Sequence, residues 1–140
     1  DADREAAVVR EAQEQQERER MAQQESQRRD VEKARAQAVA DTESAAVEAA
    51  AKEAGHDFDV HFERTERWYS SIRVSAVASG FKVLVERETG HILGAHLIGP
   101  GTEEQINLFA MAMGAGLTAN RIKAAIFAYP SYASDLGSMV

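Results

Sequence analysis

The hydrophobic and polar positions along the chain follow two different patterns, and the change falls near Gly55. Before it, apolar residues are sparse and irregular, with none from residue 13 to residue 20, and strong helix formers fill the segment. Sustained heptads are missing, so the pattern favours a solvated single helix or a loosely packed helical hairpin. A partner-binding or coiled-coil segment is the alternative.

The end of this first segment, DTESAAVEAAAKEAG, carries sharper boundary signals. Asp41 or Thr42 can cap a helix through a side-chain oxygen, and alanine and glutamate favour the helix interior. Gly55 suits the left-handed exit from a helix. The stretch therefore predicts a helix at about residues 43–54 that is separate from the one before it.

After Gly55 the hydrophobic period changes to two, which is typical of β-strands. FDVHFER places Phe58, Val60 and Phe62 on one side and polar residues on the other, as in a half-buried strand. GFKVLVERETGHILGAHLIG predicts a β-hairpin that turns at ETG, with Gly90 at a positive φ. In its first strand, Phe81, Val83 and Val85 alternate with Lys82, Leu84 and Glu86.

Helical signals return after the hairpin. GPG breaks the second strand, and Thr102 is the predicted cap of a helix with two acids in its first turn. A second, shorter helix is predicted for TANRIKAAIF, with Thr118 as its cap. The residues predicted to form the core face of the longer helix lie at helical spacing: Ile106, Phe109, Ala110 and Met113.

These elements predict an α+β fold, in which an antiparallel β-sheet has helices packed on one face. A long charged N-terminal α-helical segment precedes it. The predicted division is a charged, alanine-rich helical arm at residues 1–55 and a domain at residues 56–140.

Composition excludes several classes of function. The net charge is −7 and the pI is about 5.1, which argue against a nucleic-acid surface. The absence of cysteine excludes disulfides, thiolate nucleophiles and a redox dithiol. No apolar run approaches the length of a membrane span, and no secretory signal is visible, so we expect a cytoplasmic protein.

The domain contains four sequence words in order over about 80 residues: WYSS.R (Trp68–Arg73), GFKVLVERETGHILGAHLIGPG, EEQINLFAMAM..GLTA and FAYPSYASDLGSM. Residues from about 58 to 140 thereby resemble the C-terminal dimerisation domain of the pyridine nucleotide-disulfide oxidoreductases. They look most like the mercuric-reductase-like and dihydrolipoamide-dehydrogenase-like members.

The resemblance implies a two-fold contact between subunits, through which each subunit helps to complete its partner's active site. The parent family uses FAD and NAD(P), whose binding domains would lie upstream, so we expect neither cofactor in this chain. Many members place an acid/base histidine before a proline near the C-terminus, where this chain has Tyr129 and Pro130. Tyrosine titrates near pH 10 when unperturbed, so we do not transfer the acid/base role and predict no catalytic residue.

Other chemical signals are weaker. GAGLTA (residues 114–119) matches a dinucleotide fingerprint in letters but follows a predicted helix, so a helix end is the preferred interpretation. His56 and His61 lie five residues apart, as do His91 and His96, a spacing that predicts no metal site.

The preferred function is a non-catalytic dimerisation module that forms a homodimer. One alternative is a structural subunit or adaptor that docks a protein partner through residues 1–40. Another is a C-terminal fragment of an FAD- and NAD(P)-dependent oxidoreductase. The predicted dimer interface comprises Ile106, Phe109, Met113, Phe127, Tyr129, Pro130 and Tyr132.

Overall fold

The computed structural model describes residues 2–140, and it describes the side chains of residues 7–8, 10–38, 41–42 and 45–140. In chain order the elements are α1 (Ala2–Glu53), β1 (Phe58–Arg64), α2 (Tyr69–Ile72), β2 (Gly80–Glu86), β3 (Ile92–Ile98), α3 (Thr102–Gly114), α4 (Ala119–Lys123), the 3₁₀ helix η1 (Tyr132–Asp135) and α5 (Leu136–Met139).

The three strands form one antiparallel sheet in the order β1-β2-β3. Val60 of β1 lies opposite Leu84 of β2, and Val83 of β2 lies opposite Ala95 of β3. The hairpin turns through Gly90, whose φ is 71°, as its sequence predicts. The predicted α+β class is confirmed: an antiparallel sheet with helices, preceded by a long N-terminal helix.

The core lies between one face of the sheet and the helices that follow it in the chain. Phe109 of α3 and Val83 of β2 are fully buried there. Trp68, between β1 and α2, packs at the edge of this core with its ring centroid 5.7 Å from that of Phe81. The buried members are Phe81, Val83, Val85, Ile92, Phe109, Ala112, Ala119, Ile122, Leu136, Met139 and Val140.

The C-terminal part of α1 packs on the other face of the sheet. There Gly94 faces Val47, and a Cβ on the glycine would lie 3.0 Å from the Val47 Cγ1 atom. Leu84, next to Gly94 in the pairing, is fully buried although the sequence pattern placed it on the polar side. Lys82 Nζ donates to Glu48 Oε1 at 2.8 Å, which adds an ion pair between α1 and β2.

The predicted separate helix at residues 43–54 is wrong, because α1 is continuous from Ala2 to Glu53. Neither predicted cap starts a new helix. The Thr42 hydroxyl donates to the carbonyl of Ala38, and the Asp41 carboxylate accepts from Gln37 Nε2 at 2.8 Å. Both bonds connect residues i and i+4 along the same helix. The predicted exit at Gly55 is confirmed by its φ of 82°.

Contacts along the chain divide it into two units, Asp1–Ala34 and Arg35–Val140. In the first unit, the described side chains up to residue 32 are exposed, and Arg29 pairs with Glu25 one turn before it. The second unit contains the end of α1, the sheet and the remaining helices. The predicted boundary between residues 55 and 56 falls inside this second unit.

Two predicted buried faces are wrong. In α3 the sheet-facing side chains are those of Gln105, Phe109 and Ala112. The predicted partners of Phe109, namely Ile106, Ala110 and Met113, are exposed. In β1 the apolar side is largely exposed, with Val60 at 43% and Phe62 at 55%, because it lies on the sheet face away from α3.

The helix caps were predicted in part. Gly101, at a φ of 72°, is the N-cap of α3, and the Thr102 hydroxyl donates instead to the carbonyl of Gly99. Thr118 caps α4 as predicted, because its hydroxyl accepts from the Arg121 amide. The helix itself ends at Lys123, before the predicted end.

Candidate functional site

Three apolar side chains of α3 are exposed, with Ile106 and Met113 on one flank of the helix and Met111 on the other. Ile106 is 38% exposed, Met113 is 39% exposed and Met111 is 71% exposed. Phe109 is fully buried, so α3 carries apolar side chains both on its buried side and at exposed positions. A helix that is apolar on a solvent-facing side is typical of a surface that another molecule covers.

The loop after α4 also exposes large apolar side chains. Ile126 is 99% exposed and Tyr129 is 77% exposed, whereas Phe127 between them packs against the core. A nearly fully exposed isoleucine gains nothing from the fold of this chain, since its hydrophobic surface stays in water. The peptide bond from Tyr129 to Pro130 is cis.

Tyr132 is held from three sides. Gln105, buried on α3, donates from Nε2 to the Tyr132 carbonyl at 2.7 Å. The Arg73 guanidinium lies 4.6 Å from the centre of the tyrosine ring, a cation–π distance. Gly101 lies against the same ring. These contacts fix η1 against α3, and the sequence patterns did not single out Gln105.

The seven predicted interface residues differ in how exposed they are. Ile106, Met113, Tyr129 and Pro130 are exposed, and Phe127 and Tyr132 are half-buried. Phe109 is fully buried in the core of its own chain, so its observed role is packing within the subunit. The other six positions stay predictions.

The glycine pattern and the histidine pairs, the two sequence features considered as ligand sites, can be compared with the structure. Gly114 ends α3 and Gly116 follows at a φ of 65°, so GAGLTA is the end of a helix, as predicted. Within the described part of the chain, no three His, Cys, Asp or Glu residues are grouped so as to hold a metal ion. His56 Nδ1 instead lies 2.7 Å from Glu86 Oε1.

A small cleft lies on the sheet face away from α3, between the sheet and Gln37 and Asp41 of α1. Phe62, Lys82, His96 and Asp41 are among the residues that line it. Its volume of about 30 Å³ gives room for a few water molecules.

The hairpin contains one carboxylate whose charge is stabilised by the fold. The Thr89 hydroxyl and the His56 ring both contact Glu86 and hold the pKa of its carboxyl below the ordinary value of 4.5. Because the pKa of Glu86 is lower in the folded state than in the unfolded state, the charged carboxylate stabilises the fold. This stabilisation is fully present above the unfolded-state pKa and is lost as the pH falls through the folded-state pKa.

We therefore expect the free energy of unfolding to fall more steeply below about pH 4.5 in the unsubstituted protein than in Glu86→Gln. The glutamine keeps the size of the side chain but carries no charge to lose. Urea unfolding at a series of pH values measures the difference, and Glu88→Gln in the same turn is the control. Equal pH slopes for Glu86→Gln and the unsubstituted protein would contradict the expectation.

The segment predicted to dock a partner, residues 1–40, is helical from Ala2 onward. The side chains of residues 1–6, 9, 39 and 40 in this segment lie outside the described residues. No helix in the described range 2–140 combines the length and the apolar character needed to cross a membrane.

Comparison with known families and proteins gives one consistent match. A family model described as pyridine nucleotide-disulphide oxidoreductase, dimerisation domain, matches residues 38–140. The match includes the segment in which the sequence resemblance was found and begins upstream of it.

Two similar curated proteins differ in length from this chain. An uncharacterised 19.7 kDa protein in a mercuric resistance operon of Staphylococcus aureus is 37% identical over 90 residues, which are 64% of this chain and 50% of that protein. A dihydrolipoyl dehydrogenase of Rhizobium etli is 32% identical over 98 residues, which are 66% of this chain and 19% of the dehydrogenase. The chain thus spans half or less of the relatives it matches.

Solved structures give the same picture. The HOCl-induced flavoprotein disulfide reductase RclA from Escherichia coli, in its Cu(II) complex, matches with a TM-score of 0.62 and 28% identity. That match covers 66% of this chain and 21% of the reductase. A second structure of the same reductase matches with a TM-score of 0.60 and 28% identity, over 64% of this chain and 20% of the reductase.

Proposed function

This chain belongs to the pyridine nucleotide-disulphide oxidoreductase dimerisation-domain family, and we propose that it is a non-catalytic module that associates with a second copy of itself. The observation that carries the proposal is the exposed apolar surface on α3 and on the loop after α4. Ile126, Tyr129 and Met111 are each more than two-thirds exposed. Apolar surface of this kind, when a second subunit buries it, is the main source of affinity in two-fold protein interfaces.

The family resemblance and the exposure favour the same part of the chain. Ile106 and Met113 lie two turns apart on one flank of α3, and both were predicted as interface residues from the sequence. Tyr129, at the position where many family members carry an acid/base histidine, is exposed and is assigned to contact rather than to catalysis. We assign no FAD or NAD(P) to this chain by itself.

Sedimentation equilibrium tests self-association directly, and we expect a dimer at tens of micromolar protein. Met113→Glu should weaken it about 30-fold or more, because loss of a central apolar contact typically costs 2 kcal/mol or more and the carboxylate must also lose water. Val31→Glu is the matched control, since it makes the same kind of change at an exposed position of α1.

A monomer at these concentrations would overturn the proposal. A dimer that Met113→Glu and Val31→Glu affect equally would retain self-association but remove α3 from the interface. Circular dichroism of both variants checks that the helix content is unchanged, so that a loss of dimer reports contact rather than unfolding.

The second candidate is that this chain forms part of a larger flavin-dependent disulfide reductase. It is favoured by the matches to the dihydrolipoyl dehydrogenase and to the disulfide reductase RclA, in which this chain corresponds to 19% and 20% of the whole protein. Mass spectrometry of the native complex from cells distinguishes the candidates. A homodimer supports the module, and a complex with a flavin-containing chain supports the reductase.

A further inference from the structure

The two edges of the sheet differ in charge. β1, at one edge, carries Asp59, Glu63 and Arg64, and Arg87 donates to Asp59 at 2.8 Å beside it. β3, at the other edge, reads ILGAHLI and contains no acid, lysine, arginine or proline. Charged and proline residues are the usual means of protecting an edge strand from pairing with another chain. The sequence protects β1 by charge and leaves β3 without such protection.

Among the described residues, strand-type pairing on the outer edge of β3 is found at its beginning. His91 forms an isolated bridge with Thr118, and Gly90 accepts from the Ala119 amide at 2.9 Å. From Ile92 to Ile98, no strand among residues 2–140 pairs with this edge, since β3 ends the sheet. Among the described residues, the backbone groups of this edge therefore have no strand partner, as the backbone of an edge strand that can pair with another chain does.

The sequence of β3 is nearly symmetric about Ala95. An antiparallel copy centred there would place Leu93 opposite Leu97 and Ala95 opposite itself. Gly94 would lie opposite His96, so that a residue without a side chain faces a ring. Directly opposed residues in an antiparallel pair lie on the same sheet face and within contact distance, so each of these pairs is compatible in size and polarity.

We propose that the β3 edge pairs antiparallel with β3 of a second copy of this chain, joining two three-stranded sheets into one of six strands. The occupant is a second copy because the near-symmetric sequence matches itself in the orientation that a two-fold axis requires. This contact uses the edge of the sheet and residues 93–97, whereas the proposed dimer surface uses α3 and the following loop. It goes beyond the proposed function and can fail independently of it.

Cysteine cross-linking tests the register. The chain has no cysteine, so a disulfide-linked dimer of Ala95→Cys necessarily joins the two introduced thiols. Opposed residues at the centre of an antiparallel pair have Cα atoms about 4.5–5.5 Å apart, within the range of a disulfide. Oxidised glutathione supplies the oxidant: two thiols lose two protons and two electrons, and glutathione disulfide is reduced.

The matched control is His61→Cys, at the middle of the opposite edge strand and half-buried like Ala95. We expect Ala95→Cys to give at least about fivefold more covalent dimer than His61→Cys, because the control thiol has no opposed partner. Adding Leu93→Lys to Ala95→Cys should remove this excess, because the ammonium would face Leu97 of the second copy. Thermal unfolding of each reduced variant confirms that the fold is retained.

Equal cross-linking of the two cysteine variants would overturn the proposal, as would an excess that Leu93→Lys leaves unchanged. Repeating the comparison with Met113→Glu present separates the two contacts. Excess cross-linking that persists there supports pairing at β3 even when the α3 contact fails. A protein that sediments as a dimer without the cross-link excess retains the proposed function and loses the β3 contact.

Discussion

Replacing Phe109 with alanine is expected to cost about 3–5 kcal/mol of the free energy of unfolding. The phenyl ring is fully buried between α3 and the sheet, and it belongs to the cluster that includes Val83 and Leu136. Alanine would remove its apolar surface from the core and leave a cavity that the surrounding strands fill incompletely. A domain of this size has a total stability of about 5–15 kcal/mol, so the loss is a large fraction of it.

Urea unfolding at a fixed protein concentration measures the change, since self-association would make the apparent stability depend on concentration. Phe62→Ala is the control, because Phe62 is 55% exposed on the other face of the sheet. It should cost no more than about 1 kcal/mol. Similar losses for the two variants would contradict the assignment of Phe109 to the core and of Phe62 to the surface.

Gly101→Ala is expected to destabilise the protein by about 2–5 kcal/mol, the sum of two effects. Gly101 has a φ of 72°, where a side chain is strained, and a Cβ there would overlap the ring of Tyr132. The ring has little freedom to move, because Arg73 stacks on it and Gln105 holds the backbone carbonyl of the same residue. The junction between β3 and α3 would therefore be forced apart.

Gly116→Ala separates these two effects. Gly116 has a similar φ of 65°, but a Cβ there would meet no heavy atom within 4 Å. Its replacement should cost about 1–2 kcal/mol, the backbone contribution alone. The double variant Gly101→Ala with Tyr132→Ala should lose less than the sum of its two single changes, since the overlap is absent. Additive losses would show that the ring is not the obstacle.

Signals confined to a few neighbouring residues predicted three local features correctly, although the predicted caps at Asp41, Thr42 and Thr102 were wrong. The ETG turn at Gly90, the cap at Thr118 and the helix exit at Gly55 were all found where the sequence placed them. Each depends on the conformation or the side-chain oxygen of one residue. The period of two likewise located the strands, because alternation depends on the local chain and not on what covers it.

Which side of an element is buried depends on distant parts of the chain, and here the sequence misled. α3 reads INLFAMAM, apolar on more than one side, so periodicity alone could not choose the sheet-facing side. The polar Gln105 is buried because its amide reaches the Tyr132 carbonyl, a contact between residues 27 positions apart. Leu84 is buried because the end of α1 covers its face, which the pattern of β2 alone does not reveal.

The interface around α3 and the Tyr129 loop stays a prediction of the family resemblance. Ile106 and Met113 were assigned both to this interface and to the core face of α3, and their exposure contradicts the core assignment. The sequence did not single out Ile126, which is the most exposed large apolar residue in the described chain. The sequence pattern predicts burial for an isoleucine between alanine and phenylalanine. The three-dimensional structure shows that its side chain is exposed to solvent.

The packing of Val47 against Gly94 and the ion pair between Glu48 and Lys82 bear on how this protein could be shortened. Amino-acid composition changes at Gly55, which invites trimming at that residue. Such a cut would expose Leu84 and leave Lys82 without the carboxylate of Glu48. The truncated protein would therefore have an exposed apolar surface that favours aggregation. The smallest segment that can stand alone therefore reaches back at least to Val47, into sequence whose composition belongs to the helical arm.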